Sequence, residues 1–97
     1  MPAYIIAEHT ITDPAKFEYR TKVGPMIAKH GGRYITKPGS QVILEKENAV
    51  WRPERVVIIE FPVMAALNAW YRSPEYQPLI PLRQAAGKDM LITLEGA

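Results

Sequence analysis

The stretch RVVIIEFPVMAALNAWY, residues 55–71, changes its hydrophobic period near its centre. Its first part, RVVIIEF (55–61), is short and rich in β-branched residues, which is typical of a strand. Its second part, PVMAALNAWY (62–71), has helical spacing, although no Ser, Thr or Asp stands at its start as a cap. The residues on one side of that helix are Val63, Leu67, Trp70 and Tyr71. We therefore expect a strand followed directly by a helix.

The same unit occurs at the start of the chain. AYIIAEH (3–9) is a short run rich in isoleucine and predicts a strand. The following segment, 13–32, has helical spacing and begins with Asp13, a natural helix cap. Gly31 and Gly32 are expected to end this helix.

Three further segments complete the prediction. Residues 33–47, RYITK and QVILEKE around a Pro-Gly pair, predict one interrupted strand or two short ones. Residues 73–87 predict a second helical region with Ser73 as its cap, and the later prolines should make it short, bent or split. Residues 89–96, DMLITLEG, predict a last strand.

The element order is β-α-β-β-α-β, which indicates an α+β, ferredoxin-like fold. Such a fold has a four-stranded antiparallel sheet in the order 4-1-3-2, with both helices on one face. The length fits a single domain over residues 1–97. Val56 and Ile58 would then be exposed on the bare face of the sheet, and exposed apolar patches usually mark an interface. We expect a homodimer whose two sheets face each other.

Composition excludes several classes of protein. The chain has no cysteine, so disulfides and thiolate metal sites are excluded. Its beginning, MPAYIIAEHT, predicts neither a signal peptide nor a membrane span, and we expect a cytoplasmic protein without a membrane partner. The net charge of +2 is scattered along the chain, and the strands lack the aromatic pairs that stack RNA bases, so no nucleic-acid partner is expected.

Two glutamates end strands on the predicted bare face. If the first and third strands lie side by side and parallel, Tyr4 and Glu8 come next to Glu60 on that face. Two enclosed carboxylates would repel each other, so one pKa should be raised or a cation should lie between them. Alternatively, both glutamates are solvated or pair with a basic side chain at the strand ends.

Arg83 is the unusual residue of the second helical region. It completes a helical stripe, Tyr76, Leu79, Ile80 and Arg83. An inward arginine must find an acidic or backbone partner, because an unpaired buried charge is very costly. Either it pairs with a structural carboxylate, or it binds an anionic ligand in bidentate fashion. We expect Glu60 as its protein partner.

Trp70 and Tyr71 are more typical of a core than of a ligand wall.

The sequence does not indicate a metal or a cofactor. His9 and His30 are the histidines of the chain, and neither has a partner at metal-ligand spacing. Structural roles are expected for both, although either could in principle hold a haem iron. No phosphate loop, dinucleotide fingerprint or nucleophile elbow occurs.

Four phrases of the sequence together resemble a known family. AYIIAEHTITDPAKFEYR, HGGRYIT, ERVVIIEFP and AWYRSPEYQPLIPLR are similar to bacterial proteins grouped as domain of unknown function family 1330. The resemblance implies a dimeric α+β barrel, a superfamily that includes cofactor-free monooxygenases, haem-degrading enzymes, muconolactone isomerase and chlorite dismutase. No catalytic assignment comes with it. The family motif maps onto Glu60, Phe61, Trp70, Tyr71, Ser73, Tyr76 and Arg83.

These observations lead to two hypotheses about function. In the first, the protein is a cofactor-independent isomerase or monooxygenase acting on a small anionic or aromatic metabolite. Glu60 would be its general base, since proton transfer needs little more than a base in a dry pocket, and Arg83 would hold an anionic group. The further ligand-binding candidates are Tyr4, Glu8, Trp70, Tyr71, Ser73 and Tyr76. In the second, the chain is a non-catalytic small-molecule-binding or interaction domain.

Overall fold

The computed structural model describes residues 1–13, 19–47 and 50–97. One antiparallel sheet contains β1 (Ala3–Ile11), β2 (Arg33–Tyr34), β3 (Val56–Phe61) and β4 (Gly87–Glu95). The helices of these ranges are α1 (Tyr19–Lys29), α2 (Met64–Tyr71) and α3 (Leu79–Ala86). The strand order is β2-β3-β1-β4, so the predicted order 4-1-3-2 and the ferredoxin-like α+β fold are confirmed. None of the helices in these ranges has the length and apolar character needed to span a bilayer.

The two faces of the sheet differ in burial. Alternate residues of the central strands are buried against the helices, as a period of two requires. On this helix-covered face lie Ala3, Ile5, Ala7, Val57, Ile59 and Phe61, which pack with Val23, Ile27, Leu67 and Trp70 of the helices. The other residues of the strands lie on the open face. Tyr4, Ile6 and Glu8 share it with Val56, Ile58 and Glu60, as predicted.

The predicted direction of β1 relative to β3 is wrong. The two strands are antiparallel, with Tyr4 opposite Glu60 and Glu8 opposite Val56. In this topology β3 is inserted between β1 and β2, and it runs antiparallel to both neighbours. The two carboxylates therefore lie at opposite ends of the sheet, four residues or about 13 Å apart along the strands.

The first helix ends where the sequence predicts. α1 stops at Lys29, and Gly31 follows in the left-handed conformation with a φ of 81°. The N–H of Gly32 then donates to the carbonyl of Ile27 at 2.9 Å, which satisfies one of the free carbonyls at the helix end. The predicted cap at Asp13 adjoins residues 14–18, which lie outside the described residues.

The second helical region is short and divided, as its prolines predict. Regular helix begins only at Leu79, and residues 73–78 form turns. Ser73 still caps these turns, because its hydroxyl accepts from the N–H of Tyr76 at 3.2 Å. Pro78 and Pro81 explain the late start, since a proline without an N–H fits the beginning of a helix and not its interior.

No connecting residue separates α3 from β4. The helix ends at Ala86 and the strand begins at Gly87. A side chain at Gly87 would overlap the backbone carbonyl of Thr10 on β1. The carbonyl of Ala86 accepts the N–H groups of Thr12 and Asp13, which fixes the end of β1 to the same junction.

The predicted strand over QVILEKE is not part of the sheet. Residues 41–47 run outside the regular elements, and β2 contains only Arg33 and Tyr34. Gln41 attaches the start of this segment to β3. Its side-chain amide accepts from the Val56 N–H at 3.1 Å and donates to the Glu54 carbonyl at 3.0 Å. The prediction of a second strand piece was therefore wrong for the chain on its own.

Candidate functional site

The open face carries Glu60 paired with a basic side chain. The Nε and Nη2 atoms of Arg33 donate to Glu60 Oε1 at 3.1 and 3.0 Å. Tyr4 lies directly opposite Glu60 on β1. Arg33 is largely exposed, so this ion pair is at the surface of the described chain.

Glu8 has separate partners at the other end of the open face. Its Oε2 atom accepts from the Thr10 hydroxyl at 3.2 Å and from the Glu54 N–H at 3.4 Å. The predicted pairing of Glu8 with Glu60 is therefore not formed. Glu60, paired with Arg33, fits the alternative of a basic partner, whereas the partners of Glu8 are a hydroxyl and a backbone N–H.

A second group of polar residues lies on the helix-covered face. We call His9, Tyr19, Tyr76, Arg83 and Asp89 the buried polar cluster. Arg83 is only 6% exposed, and its Nη1 atom donates to the Tyr76 hydroxyl at 2.6 Å. Its Nε atom contacts Asp89 Oδ2 as an ion pair, although without hydrogen-bond geometry. The expectation that Glu60 neutralises Arg83 is wrong, because the two lie on opposite faces of the sheet.

Two phenols extend the cluster from Arg83. The hydroxyls of Tyr76 and Tyr19 are 2.7 Å apart, and the Arg83 guanidinium lies 5.8 Å from the centre of the Tyr19 ring. Burial raises the pKa of both phenols above the usual value. Both phenol hydroxyls therefore remain protonated at neutral pH and can donate hydrogen bonds.

His9 forms the remaining side of the cluster. Its Nδ1 atom is 4.0 Å from Asp89 Oδ2, and its side chain is buried in line with Ala7 on the same strand. Burial lowers the pKa of His9 below 6.5, and this outweighs the opposing effect of Asp89. The imidazole is thus neutral at pH 7.

The stability of the protein should depend on pH through His9. A lowered pKa in the folded state means that the unfolded chain binds the proton more readily. The contribution of neutral His9 to the free energy of unfolding is complete above about pH 6.5. It is lost as the pH falls from there towards the pKa of His9 in the folded state. We expect the free energy of unfolding, measured by urea denaturation at pH 5.5 and 7.5, to fall at the lower pH. The fall should be smaller in His9→Gln, and an identical fall in both proteins would contradict this assignment.

Trp70 belongs to the core and not to an open pocket. Its ring is fully buried, 4.3 Å from the Tyr76 ring and 5.6 Å from the Phe61 ring, measured between centroids. Its Nε1 atom has no hydrogen-bond partner among the described residues. Ser73 donates to the Trp70 carbonyl at 2.8 Å, which is a structural role in the turn after α2.

A cleft of ≈ 260 Å³ lies between α2 and the helix-covered face of β1 and β4. We call it the α2 cleft. Its sheet side is formed by Ile5, Leu91 and Thr93, and its helix side by Leu67, Asn68, Tyr71 and Arg72. The interior is therefore mostly apolar, with an amide, a phenol and a guanidinium along the helix side.

Arg72 is the charged group of this cleft. It follows the last turn of α2, and its guanidinium forms no ion pair with any described residue. Tyr71 lines the cleft next to it and contacts the ring of Tyr76 at 5.6 Å. Tyr71 therefore connects the α2 cleft to the buried polar cluster, and Leu91 does the same along β4, two residues from Asp89.

Several of these residues were missed in the sequence. His9 and Asp89 both lie within the predicted strands and face each other across β1 and β4 on the helix-covered face, but their meeting with Arg83 was not predicted. Alternation with Leu91 along β4 was the available signal for Asp89. Asn68 and Arg72 carry no signal, because exposed polar residues at the end of a helix are ordinary. Among the described residues, no group of three or more His, Asp or Glu side chains is placed to hold a metal ion.

Comparison with solved structures shows the same fold in proteins of low sequence identity. A protein of unknown function from Rhodopseudomonas palustris is 23% identical with a TM-score of 0.75, covering 99% of this chain and 82% of that one. A dimeric ferredoxin-like protein of unknown function from Jannaschia sp. is 14% identical with a TM-score of 0.66, covering 99% and 100%. SnoaB, a cofactor-independent oxygenase from Streptomyces nogalater, is 14% identical with a TM-score of 0.65, covering 99% and 93%.

The family assignment comes from the sequence itself. A search of the curated proteins finds no match. The family model described as Domain of unknown function (DUF1330) matches residues 2–97, which is nearly the whole chain. The resemblance seen in the four sequence phrases is thereby confirmed, and the chain belongs to the DUF1330 family.

Proposed function

We propose that the protein is a homodimer that binds a small aromatic carboxylate in the α2 cleft. The observation that carries this proposal is the Arg72 guanidinium, which has no anionic partner among the described residues and lines a largely apolar cleft. Arginine presents a planar fork of donors that suits a carboxylate in bidentate geometry. Arg83, by contrast, is already neutralised by Asp89, so it positions Tyr76 and does not hold the ligand.

The remaining lining residues suit the aromatic part of such a ligand. Ile5, Leu67 and Leu91 supply apolar contacts, and the exposed edge of Tyr71 supplies an aromatic one. Asn68 can donate to or accept from a ring substituent. A few polar groups at one side of an apolar cavity are typical of small-molecule sites.

The homodimer is supported by the apolar character of the open face. Ile6, Val56 and Ile58 of the central strands are only partly covered there, and Met90, Ile92 and Leu94 of β4 are about half exposed. An exposed apolar patch of this kind usually marks an interface. The ferredoxin-like protein from Jannaschia sp., which has the same fold, is described as dimeric.

Arg72→Ala should weaken binding of benzoate and phenylacetate by about tenfold or more, because a hydrogen bond to a charged group contributes roughly 1.5–3 kcal/mol. Binding is measured by NMR titration of the full-length protein with each probe. Lys37→Ala removes the same charge at an exposed turn far from the cleft in sequence and serves as the matched control.

Two further outcomes decide the proposal. Benzamide, which has the ring without the charge, should bind more weakly than benzoate to the unaltered protein. Equal loss of affinity in Arg72→Ala and Lys37→Ala, or equal binding of benzamide and benzoate, would overturn the proposal. Equal loss in the two variants would mean that only the net charge of the protein affects binding. Equal binding of the two probes would mean that the site does not recognise a carboxylate.

A second candidate function is cofactor-independent catalysis in the same cleft. It is favoured by the ring contact of Tyr71 with Tyr76, which joins the cleft to a cluster containing a neutral imidazole and two protonated phenols. His9 is the member of that cluster able to accept a proton at neutral pH. SnoaB, a cofactor-independent oxygenase, shares the fold. Glu60, on the other face, would then contribute to the dimer through Arg33 and not act as the base.

The titrations in deuterated water separate the two candidates. An enzyme that removes a proton next to the carboxylate would leave the electron pair on phenylacetate as an enolate, which then takes up deuterium. Loss of the methylene proton signal over time would therefore indicate catalysis, whereas binding with an unchanged signal favours a non-catalytic site for this probe.

A further inference from the structure

We infer that the α2 cleft selects an aromatic carboxylate that carries a neutral hydroxyl para to its carboxylate. In this arrangement Arg72 binds the carboxylate, Asn68 binds the hydroxyl, and the ring lies between the helix and the sheet. The inference rests on the proposed function and deepens it, because it names the second polar group of the ligand and its position on the ring. It starts from the spacing of these two cleft residues on α2.

Asn68 and Arg72 lie one helical turn apart, and both line the cleft. The Arg72 N–H donates to the Asn68 carbonyl at 2.9 Å, so the turn between them is closed by a regular helical hydrogen bond. Side chains four residues apart in such a turn have Cβ atoms roughly 5–6 Å apart. The carboxyl carbon and the para oxygen of 4-hydroxybenzoate are separated by a similar distance, whereas an ortho hydroxyl lies beside the carboxylate. A para hydroxyl therefore reaches Asn68 when the carboxylate is at Arg72.

The apolar side chains of the cleft set the direction of the ring. Leu67 and Tyr71 form a second pair four residues apart on α2, parallel to the polar pair. Leu67 is fully buried, so this pair begins deeper in the cleft. Ile5 of β1 and Leu91 of β4 face it from the sheet. A flat ring held between the two apolar surfaces lies along the helix, and its two ends meet the polar pair.

The size of the cleft limits the ligand to about one ring. Its volume of ≈ 260 Å³ is below the range of roughly 300–1,000 Å³ that is typical of sites for drug-sized ligands. A single benzene ring with a small group at each end fits this description. Para substitution uses the length of the cleft without widening the molecule.

The chemistry of the lining selects a neutral second group. The Asn68 side chain forms no hydrogen bond with another described residue, and its amide can both donate and accept, as a phenol hydroxyl can. Among the described residues that line the cleft, Arg72 alone carries a charge. A second carboxylate would lose water without gaining a cation, which is costly. A hydroxyl loses less and gains a matched partner.

The end of α2 can accept an anion because its carbonyls are already occupied. A helix C-terminus carries a partial negative charge that would repel a carboxylate. Here the Trp70 carbonyl accepts from the Ser73 hydroxyl at 2.8 Å, and the Tyr71 carbonyl accepts from the Gln77 amide at 2.7 Å. These donors offset the charge of the carbonyls beside Arg72, and they give Ser73 and Gln77 an indirect part in ligand binding.

NMR titration of the protein with four ring carboxylates tests the inference. 4-Methylbenzoate has nearly the shape of 4-hydroxybenzoate without its hydrogen bond, salicylate has the hydroxyl in the ortho position, and terephthalate has a second carboxylate in the para position. We expect 4-hydroxybenzoate to bind at least about threefold more tightly than 4-methylbenzoate, because a hydrogen bond between neutral groups contributes a modest amount. Salicylate and terephthalate should both bind more weakly than 4-hydroxybenzoate.

Asn68→Ala should reverse the order of 4-hydroxybenzoate and 4-methylbenzoate, because a hydroxyl removed from water without a partner costs affinity. Alanine has a higher helix propensity than asparagine, so the change is not explained by loss of α2. Gln84→Ala is the matched control, since it removes an exposed amide from α3, outside the cleft. It should leave the order of the two probes unchanged.

Three results would overturn the inference. These are an unchanged order of the two probes in Asn68→Ala, an equal change in Gln84→Ala, and binding of salicylate or terephthalate at least as tight as that of 4-hydroxybenzoate. If Arg72→Ala weakens binding of every probe but 4-hydroxybenzoate is not preferred, only this inference fails. If binding does not depend on Arg72, the proposed function fails as well.

Discussion

Arg83→Met should destabilise the protein by roughly 3–5 kcal/mol, because it leaves a largely buried carboxylate without its cation. The side chain of Asp89 is only 12% exposed and contacts the Arg83 guanidinium directly. The Tyr76 hydroxyl loses its charged donor in the same variant. A loss of this size is a large part of the stability of a small domain. Urea denaturation followed by circular dichroism measures it.

Two companion variants show whether burial is the cause. Lys29→Met breaks the ion pair between Lys29 and Glu75. Both of these side chains are more than half exposed, so the free energy of unfolding should change little. The double variant Arg83→Met/Asp89→Leu removes both buried charges and should recover most of the lost stability. If Arg83→Met were no more harmful than Lys29→Met, the cluster would have to be open to water.

Trp70→Ala should cost a similar amount, about 3–5 kcal/mol, because it opens a large cavity in the core. The Trp70 ring is fully buried and contacts the rings of Phe61 and Tyr76, so few neighbours could move to fill the space. Chemical denaturation at constant pH, with the slope compared to that of the unaltered protein, gives the change in the free energy of unfolding.

Trp70→Phe should lower the free energy of unfolding by much less than half of the loss in Trp70→Ala. The indole Nε1 has no hydrogen-bond partner among the described residues, so its removal also removes a buried and unsatisfied donor. A phenylalanine ring retains most of the apolar contact. Equal costs for the alanine and phenylalanine variants would show that the indole N–H makes an important hydrogen bond.

The fold was predictable because it depends on local patterns. Alternation along AYIIAEH and RVVIIEF identifies the central strands, and the open and covered faces follow from it. The glycines at 31 and 32 mark the end of α1 as expected. The direction of β3 relative to β1 was wrong because it was taken from alternation, which is the same for parallel and antiparallel strands. The predicted antiparallel order 4-1-3-2 already requires β3 to run opposite to β1.

The candidate site was predictable only in part. Helical spacing predicted that Arg83 points inward, and Arg83 is buried. The predicted need for an acidic partner was also correct, because Arg83 pairs with a carboxylate. The partner is Asp89 and not Glu60, because pairing across the fold depends on how α3 meets β4, which periodicity does not describe. The cleft beside Arg72 depends on the gap between a helix and a sheet. Such a gap is set by packing and leaves no pattern in the sequence.

The direct passage from α3 into β4 determines where this chain can change length. One residue inserted between Ala86 and Gly87 would rotate the helix by about 100° relative to the strand, or reverse the faces of every residue in β4. Either change would separate Arg83 from Asp89. Natural variation in length and engineered insertions should therefore be excluded from this junction. They should be tolerated between residues 36 and 41, where the backbone forms an exposed turn around Gly39.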